Sequence, residues 1–264
     1  MTWLRADQLV VAIPGQTPCS EHALTIDFKP GEVWGVLGPN GVGKTTLLHT
    51  LASLTTPAMG QVMLDDTPLK DLHRTHIAQQ VGVMFQAHQD GFPATVFETA
   101  LLGRFPHLSP WDMESEQDLA LAEQALAQLD LTSLVQRSLS TLSGGERQRA
   151  ALATLLTQQP EIWLVDEPTN HLDLHHQVAV MALLKEQALR QKTVIMSLHD
   201  VNLAAQWCSH VLLLYPDRAP IWGRAETLLT QEYLEPLYRQ SLAVTEVNQR
   251  PVFVPVAQVY KSID

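Results

Sequence analysis

The sequence predicts an α/β fold: a mainly parallel sheet, an inserted α-helical subdomain and a small antiparallel β piece. Three observations carry that prediction. Short apolar runs alternate with helical patterns, as in βαβ units. A stretch from about Thr95 to Thr157 is rich in helix-forming Ala, Leu, Gln and Glu and contains no convincing strand. Near the C-terminus, Leu242 to Val256 alternates weakly, as an antiparallel pair would. The first predicted strand is Glu32 to Leu37, stopped by Gly38-Pro39. Val81 to Phe85, Ile162 to Val165, Thr193 to Leu198 and Val211 to Leu214 follow. Each is short, continuous and apolar, the pattern of a strand covered on both faces. Leu174, Val178, Met181, Leu184 and Ala188 form one apolar stripe at helical spacing, with His175, Gln177, Lys185 and Glu186 on the other side. Glu114 to Leu129 reads as a packed amphipathic helix within the insertion. The boundaries that result are a sheet core with a β subdomain, residues 1–87 and 158–264, and a helical subdomain, residues 88–157.

Composition excludes several classes. The 264 residues are 45% hydrophobic and 17% charged, with a formal charge of −11. That is globular material with enough apolar mass for a core, and not a disordered, collagenous or disulfide-built chain. The acidic balance argues against a dedicated nucleic-acid binder. Cys19 and Cys208 lie far apart and fit no metal spacing, so they read as free thiols in a reducing compartment. Met1 to Val11 lacks the basic-then-apolar pattern of a signal peptide. No run reaches the roughly 18–20 apolar residues that span a bilayer. The expectation is a soluble cytoplasmic chain without internal repeats.

Gly38-Pro39-Asn40-Gly41-Val42-Gly43-Lys44-Thr45 fits G-x-x-x-x-G-K-[ST]. A predicted strand precedes it, and Thr46-Leu47-Leu48 opens a helix. Glycines let successive backbone N–H groups turn inward around an anion, and the helix N-terminus adds positive potential. Lys44 should reach the β- and γ-phosphates, and the Thr45 hydroxyl should bind Mg²⁺. Nucleotide contact is therefore expected at Gly38, Pro39, Asn40, Gly41, Gly43, Lys44, Thr45 and Thr46. The alternative is a glycine-rich turn without a ligand.

Glu161 to Val165 is an apolar strand ending in Asp166-Glu167. In an open α/β sheet, ligands sit beyond the carboxyl ends of the strands. Asp166 suits the Mg²⁺ sphere, and Glu167 suits orienting or deprotonating a water that attacks the γ-phosphate. Alone, the two could be solvated acids at a strand end. The Thr193 to Leu198 strand ends in His199, where an imidazole could touch a γ-phosphate. Gln86 follows the Val81 to Phe85 strand, and its amide could ligate Mg²⁺ or hold water.

Leu142-Ser143-Gly144-Gly145-Glu146-Arg147-Gln148-Arg149 adds a further motif. Ser143-x-x-Glu146 is a capping box at a helix start, and the same turn is an anion site. Together with the phosphate loop, Gln86, Asp166-Glu167, Pro168-Thr169-Asn170-His171-Leu172-Asp173 and His199, it makes the sequence resemble the ATP-binding subunit of ABC transporters over roughly Leu4 to Leu229. LSGGE is a variant of that family's LSGGQ. The resemblance implies a RecA-like P-loop core. It also implies that Ser143, Gly144 and Gly145 cap the γ-phosphate held by a second copy, so that two ATP molecules are sandwiched head-to-tail in a two-fold homodimer. Asp173 would contact the opposite site. One departure is visible. Family members often stack adenine on an aromatic near the first strand, whereas this chain has Ile13-Pro14 there. Adenine would then rest on an aliphatic surface, or Trp3 or another ring would serve.

Thr95 to Arg104, Pro106 to Trp111 and His199 to Ala205 resemble the subclass that imports iron–siderophore complexes, haem or cobalamin. That resemblance implies two membrane permease subunits and, indirectly, a periplasmic or extracellular substrate-binding protein. The ATPase would lie at the cytoplasmic face of the membrane. The region Gln86 to Trp111 would receive the permease's cytoplasmic helix. Phe92, Val96, Phe97 and Phe105 either line that groove or belong to the core. The competing readings are an ATPase of an exporter or another importer and, further off, a non-transport ABC ATPase. The long coiled coils or paired cassettes of the last class are missing. A small GTPase would need an N-K-x-D motif, and none occurs.

Overall fold

The computed structural model describes residues 2–15, 17–85, 94–109 and 111–256. In chain order the elements are β1 (Leu4–Val10), β2 (Leu24–Phe28), β3 (Val33–Leu37), α1 (Lys44–Leu51), β4 (Met59–Leu64), β5 (Thr67–Pro68), α2 (Arg74–Gln80) and β6 (Val81–Met84). Three helices follow: α3 (Val96–Leu101), α4 (Glu116–Gln128) and α5 (Gly144–Gln158). The chain then returns to the sheet with β7 (Ile162–Val165), α6 (Leu174–Leu189), β8 (Thr193–Ser197), α7 (Val201–Trp207), β9 (His210–Leu213) and β10 (Ile221–Arg224). It closes with α8 (Ala225–Leu228), α9 (Gln231–Tyr238), β11 (Leu242–Val247) and β12 (Arg250–Pro255).

The large sheet has the order β10-β9-β3-β8-β7-β6. β9, β3, β8, β7 and β6 are parallel, and only β10 is antiparallel. All five parallel strands are those the apolar runs predict, with ends shifted by a residue at most. They alternate between two cores, as a pleated strand must when both faces are covered. On β3, Val33 and Leu37 face one core while Trp34 and Val36 face the other. On β7, Trp163 and Val165 face the first core while Ile162 and Leu164 face the second. The second core is closed by α1, through Leu47, Leu48 and Leu51, and by the antiparallel sheet β2-β1-β4-β5. The sequence reading left that four-stranded sheet unassigned, although β2 carries a clean alternation of buried Leu24, Ile26 and Phe28 with exposed Thr25 and Asp27. β1 is harder to see, because a bulge between Ala6 and Leu9 breaks its register.

Among the described residues, the stretch from Thr95 to Thr157 is helical as predicted, and each α-helix there begins with a reciprocal cap. Thr95 with Glu98, Ser115 with Asp118, and Ser143 with Glu146 are all capping boxes. The C-terminal β11–β12 hairpin also forms as expected. The stripe on α6 needs correction. Met181, Leu184 and Ala188 are buried, but Leu174 and Val178 are 76% and 48% exposed. The first turns of α6 project past the core, and Val180 takes the buried position instead. Both cysteines are free thiols. Cys208 Sγ packs where a Cβ on Gly35 would lie at 2.9 Å, and burial pushes this thiol up to about 12. Among the described residues no helix is long and apolar enough to cross a membrane.

Asp118 shows how the helical segment is tied down. Its carboxylate accepts from Ser115 N at 2.9 Å, Ser115 Oγ at 2.7 Å and Arg104 Nε at 2.7 Å. The Ser115 bonds, and then Arg104, lower the Asp118 carboxyl to about 2. Its stabilising effect is complete above the ordinary aspartate range and is lost as pH falls toward 2. Asp118→Asn should cost about 1–2 kcal/mol at neutral pH. In urea denaturation the gap between wild type and variant should hold at pH 5 and above and narrow between about pH 4 and 2.

Candidate nucleotide site

The site forms where β3, β7 and β8 end side by side. β3 runs into the phosphate loop, whose conformation only glycine allows at two positions. Gly38 has φ +156°, and a Cβ there would meet the Leu214 carbonyl oxygen at 2.5 Å. Gly43, at φ +107°, caps α1, and a Cβ there would meet Ile13 Cδ1 at 2.6 Å. Lys44 is buried. Its ammonium donates to the carbonyl oxygens of Gly38 at 2.8 Å and Pro39 at 3.1 Å. Burial lowers the Lys44 pKa, opposed by the charges of Glu167 and then Asp166. A buried cation facing two carboxylates at a helix start is a strong anchor for a polyanion. Asn40, Gly41 and Thr45 lie on the exposed side of the loop.

Asp166 and Glu167 follow β7, and a residue that the motif reading did not mark joins them. The Ser197 hydroxyl donates to Asp166 Oδ1 and accepts from Glu167 N at 2.9 Å. Asp166 is 2% exposed, and its Oδ2 accepts from Thr45 Oγ1 at 2.7 Å. Glu167 sits in the left-handed region at φ 49°. Its carboxylate pairs with His199 Nε2 and with the Asn170 amide. Its backbone carbonyl accepts from Gln148 Nε2 at 2.9 Å, and Gln148 is itself 3% exposed. Ser197, Asn170 and Gln148 are therefore the residues that sequence reasoning missed. Ser197 carried a signal, being a polar residue inside an otherwise apolar, doubly covered strand. Asn170 and Gln148 stood inside quoted motifs without a task.

The structure brings Lys44, Thr45, Asp166, Glu167 and His199 together in one cluster. The signature turn lies elsewhere. Ser143 is exposed, and its hydroxyl accepts from Glu146 N at 3.3 Å. A Cβ on Gly144 would lie 3.1 Å from the His171 Cβ, and one on Gly145 would lie 3.0 Å from the His171 carbonyl oxygen. The signature turn therefore packs on the segment leading to Asp173. Asp173 caps α6 by accepting from His176 N at 2.9 Å. Gln86 and Phe92 lie outside the described residues. Of the apolar residues predicted either to dock a helix or to fill the core, Val96 is buried, Phe97 packs on the core and Phe105 is 75% exposed. Trp3 precedes β1 and bonds Asp65, at the opposite end of that strand from Ile13.

A phosphate loop feeding a helix, with an acid pair and a histidine on neighbouring strand ends, defines a P-loop nucleotide hydrolase. The ABC transporter family profile matches residues 22–170. The ferric enterobactin transport ATP-binding protein FepC of Escherichia coli is 35% identical over 98% of this chain and 96% of its own length. The hemin import ATP-binding protein HmuV of Pseudomonas aeruginosa is 38% identical over 94% of this chain and 96% of its own. A solved metal-chelate type ABC transporter in an inward-facing conformation superposes with a TM-score of 0.82, at 27% identity, covering 98% of this chain and 99% of that one. The chain belongs to the ABC transporter family, and it is the nucleotide-binding ATPase component.

Ser197→Ala should leave the buried Asp166 carboxylate and the Glu167 N–H short of a partner. The expected cost is about 2 kcal/mol in urea denaturation, with a fall in ATP turnover.

Proposed function

We propose that this chain powers uptake of a large metal-chelate cargo, of the iron–siderophore, haem or cobalamin class, through two membrane permease subunits. The observation that carries this reading is the near-complete coverage of FepC and HmuV, whose names specify ferric enterobactin transport and hemin import. An assembled transporter would include a homodimer of this chain at the cytoplasmic face of the membrane and a substrate-binding protein on the other side. The residues between β6 and Trp111 would receive the permease, and Phe105 supplies an apolar contact for it.

The phosphate loop, with Lys44 at its base, binds the triphosphate. The Thr45 hydroxyl and the Asp166 carboxylate, 2.7 Å apart, are adjacent hard oxygen donors and fit Mg²⁺, with Gln86 as a third ligand. Mg²⁺ bound there would neutralise phosphate charge. Glu167 orients and deprotonates the attacking water. His199 contacts the γ-phosphate and Glu167 together, so loss of that phosphate is felt at the base. Ser143, Gly144 and Gly145 cap the phosphate of the opposite subunit, and Asp173 contacts the same foreign site. Two chains then close on two nucleotides, and hydrolysis removes what binds them. Closure is favoured only by the difference in affinity for the closed state.

Glu167→Gln should retain ATP binding and trap the closed dimer while turnover falls by a factor of about 10² to 10⁴. Normal turnover in that variant would remove Glu167 from the role of base. A second test separates the shared site from an autonomous one. Lys44→Ala chains and Ser143→Ala chains should each be inactive alone, and mixing them should restore one intact site per mixed dimer. No recovery on mixing would contradict the sandwich. Transport assays in proteoliposomes, with ferric siderophore, haem and cobalamin each offered to the full assembly, test the cargo class.

A further inference from the structure

The C-terminal hairpin β11–β12 forms a sheet of its own, separate from the large sheet. It is tied to α7, the helix that begins two residues after His199. The Asn202 carboxamide donates from Nδ2 to the Phe253 carbonyl oxygen at 3.1 Å, and its Oδ1 accepts from Phe253 N at 2.8 Å. A carboxamide carries the donor and acceptor of a peptide group, so Asn202 takes the place of a third strand at the open edge of β12. Near the other end of α7, the Arg250 guanidinium donates to the Gln206 carbonyl oxygen. We propose that Asn202 is a positioning residue for ATP hydrolysis: by clamping α7 to the C-terminal hairpin, it fixes the turn that aims His199 at Glu167. The proposal rests on the catalytic reading of Glu167 and His199.

The link from clamp to imidazole is short. Asp200 caps α7, its Oδ1 accepting from Asn202 N at 2.7 Å, and His199 is the next residue toward β8. Asn202 therefore bonds the hairpin through its side chain and the His199–Asp200 turn through its backbone. α7 has seven residues, too few to hold a helix by propensity alone, so its place is set by what it packs on. Ala204 anchors its middle in the core, and the hairpin bonds hold its two ends. The His199 side chain is 41% exposed, so packing does not fix the ring, which depends on its own backbone and on its bond to Glu167. Reacting groups tolerate little displacement: about an ångström of misplacement costs about a hundredfold in rate. Among the described residues no hydrogen bond joins the phosphate loop to α7 or to the hairpin, the bonds of Lys44 and Thr45 going to Gly38, Pro39 and Asp166. Loosening α7 therefore acts on hydrolysis and spares nucleotide affinity.

Steady-state ATP hydrolysis by the full chain tests this. Asn202→Ala should lower kcat about tenfold or more and leave KM for ATP within about twofold. His199→Ala supplies a second background, with residual phosphate release read from radiolabelled ATP. There, adding Asn202→Ala should change the residual rate by less than about twofold, because a group that acts only through His199 has nothing left to position. An unchanged kcat in Asn202→Ala overturns the proposal. So does a KM that rises along with the loss, or an equal loss on both backgrounds, since either marks general damage to the fold. If Asn202→Ala does not fold, Arg250→Ala, at the exposed far end of the clamp, should lower kcat at steady KM, and a normal kcat there overturns the proposal. Full turnover in His199→Ala would defeat the catalytic reading of that histidine, a result distinct from loss in His199→Ala with none in Asn202→Ala.

Discussion

Carboxylates at the ends of buried strands are costly unless their charge is answered by bonds. Here Asp166 is answered by two hydroxyls, and the Glu167 carboxylate by His199 and Asn170. Ser197, at the end of β8, bonds the Asp166 carboxylate and the Glu167 backbone on the neighbouring strand end, while Thr45 from α1 reaches the other Asp166 oxygen. Three separate stretches of sequence are thereby pinned at one rim. The rest of the site depends on that joint. Lys44 faces both acids, His199 is one residue beyond the end of the apolar run that carries Ser197, and the left-handed backbone of Glu167 is sustained by the bonds around it.

The parallel sheet makes such a joint attainable. Strands covered on both faces hold their ends in fixed register, so Val165 opposes Met196 and Val36 opposes Ser197. The Asp166–Glu167 pair and Ser197 are thus mounted at the ends of rigid elements, beside the phosphate loop. Gln148 extends the frame to the helical segment. Its buried amide ties α5, whose first residues are the signature glycines, to the carbonyl of Glu167. The turn that presents Ser143 and the acid at the phosphate rim are therefore mechanically linked within one chain, although they sit at different places on its surface.

Legibility in the sequence followed the physics of each signal. The five parallel strands were readable because double burial demands unbroken apolar runs. The phosphate loop and the Ser143–Glu146 capping box were readable because their residue types are set by local geometry that needs no distant partner. The N-terminal sheet was not read, because a bulge in β1 disrupts the period on which strand recognition depends. Leu174 and Val178 obey helical periodicity yet are exposed, since spacing reports a face and not what covers it. Ser197, Asn170 and Gln148 act through tertiary bonds that no spacing rule encodes. Ile13 was visible as a departure from the family pattern, but its packing on Gly43 is a fact of three dimensions.

The strand order carries an implication for how the chain is made. β3, which delivers the phosphate loop, pairs with β8 and β9, so Val33 waits for Val194 and Leu37 for Leu213. A ribosome must have passed most of the message before the nucleotide loop acquires either neighbour. Until then its apolar edge lacks both sheet partners, and closing so long a loop is slow relative to the local pairing of β1, β2 and β4. The early antiparallel sheet and α1 can bury one face of β3 while the remainder is still being translated, which limits the surface open to misassociation. Nascent fragments ending before β8 would therefore have a loop of correct sequence and no rim on which to hold it.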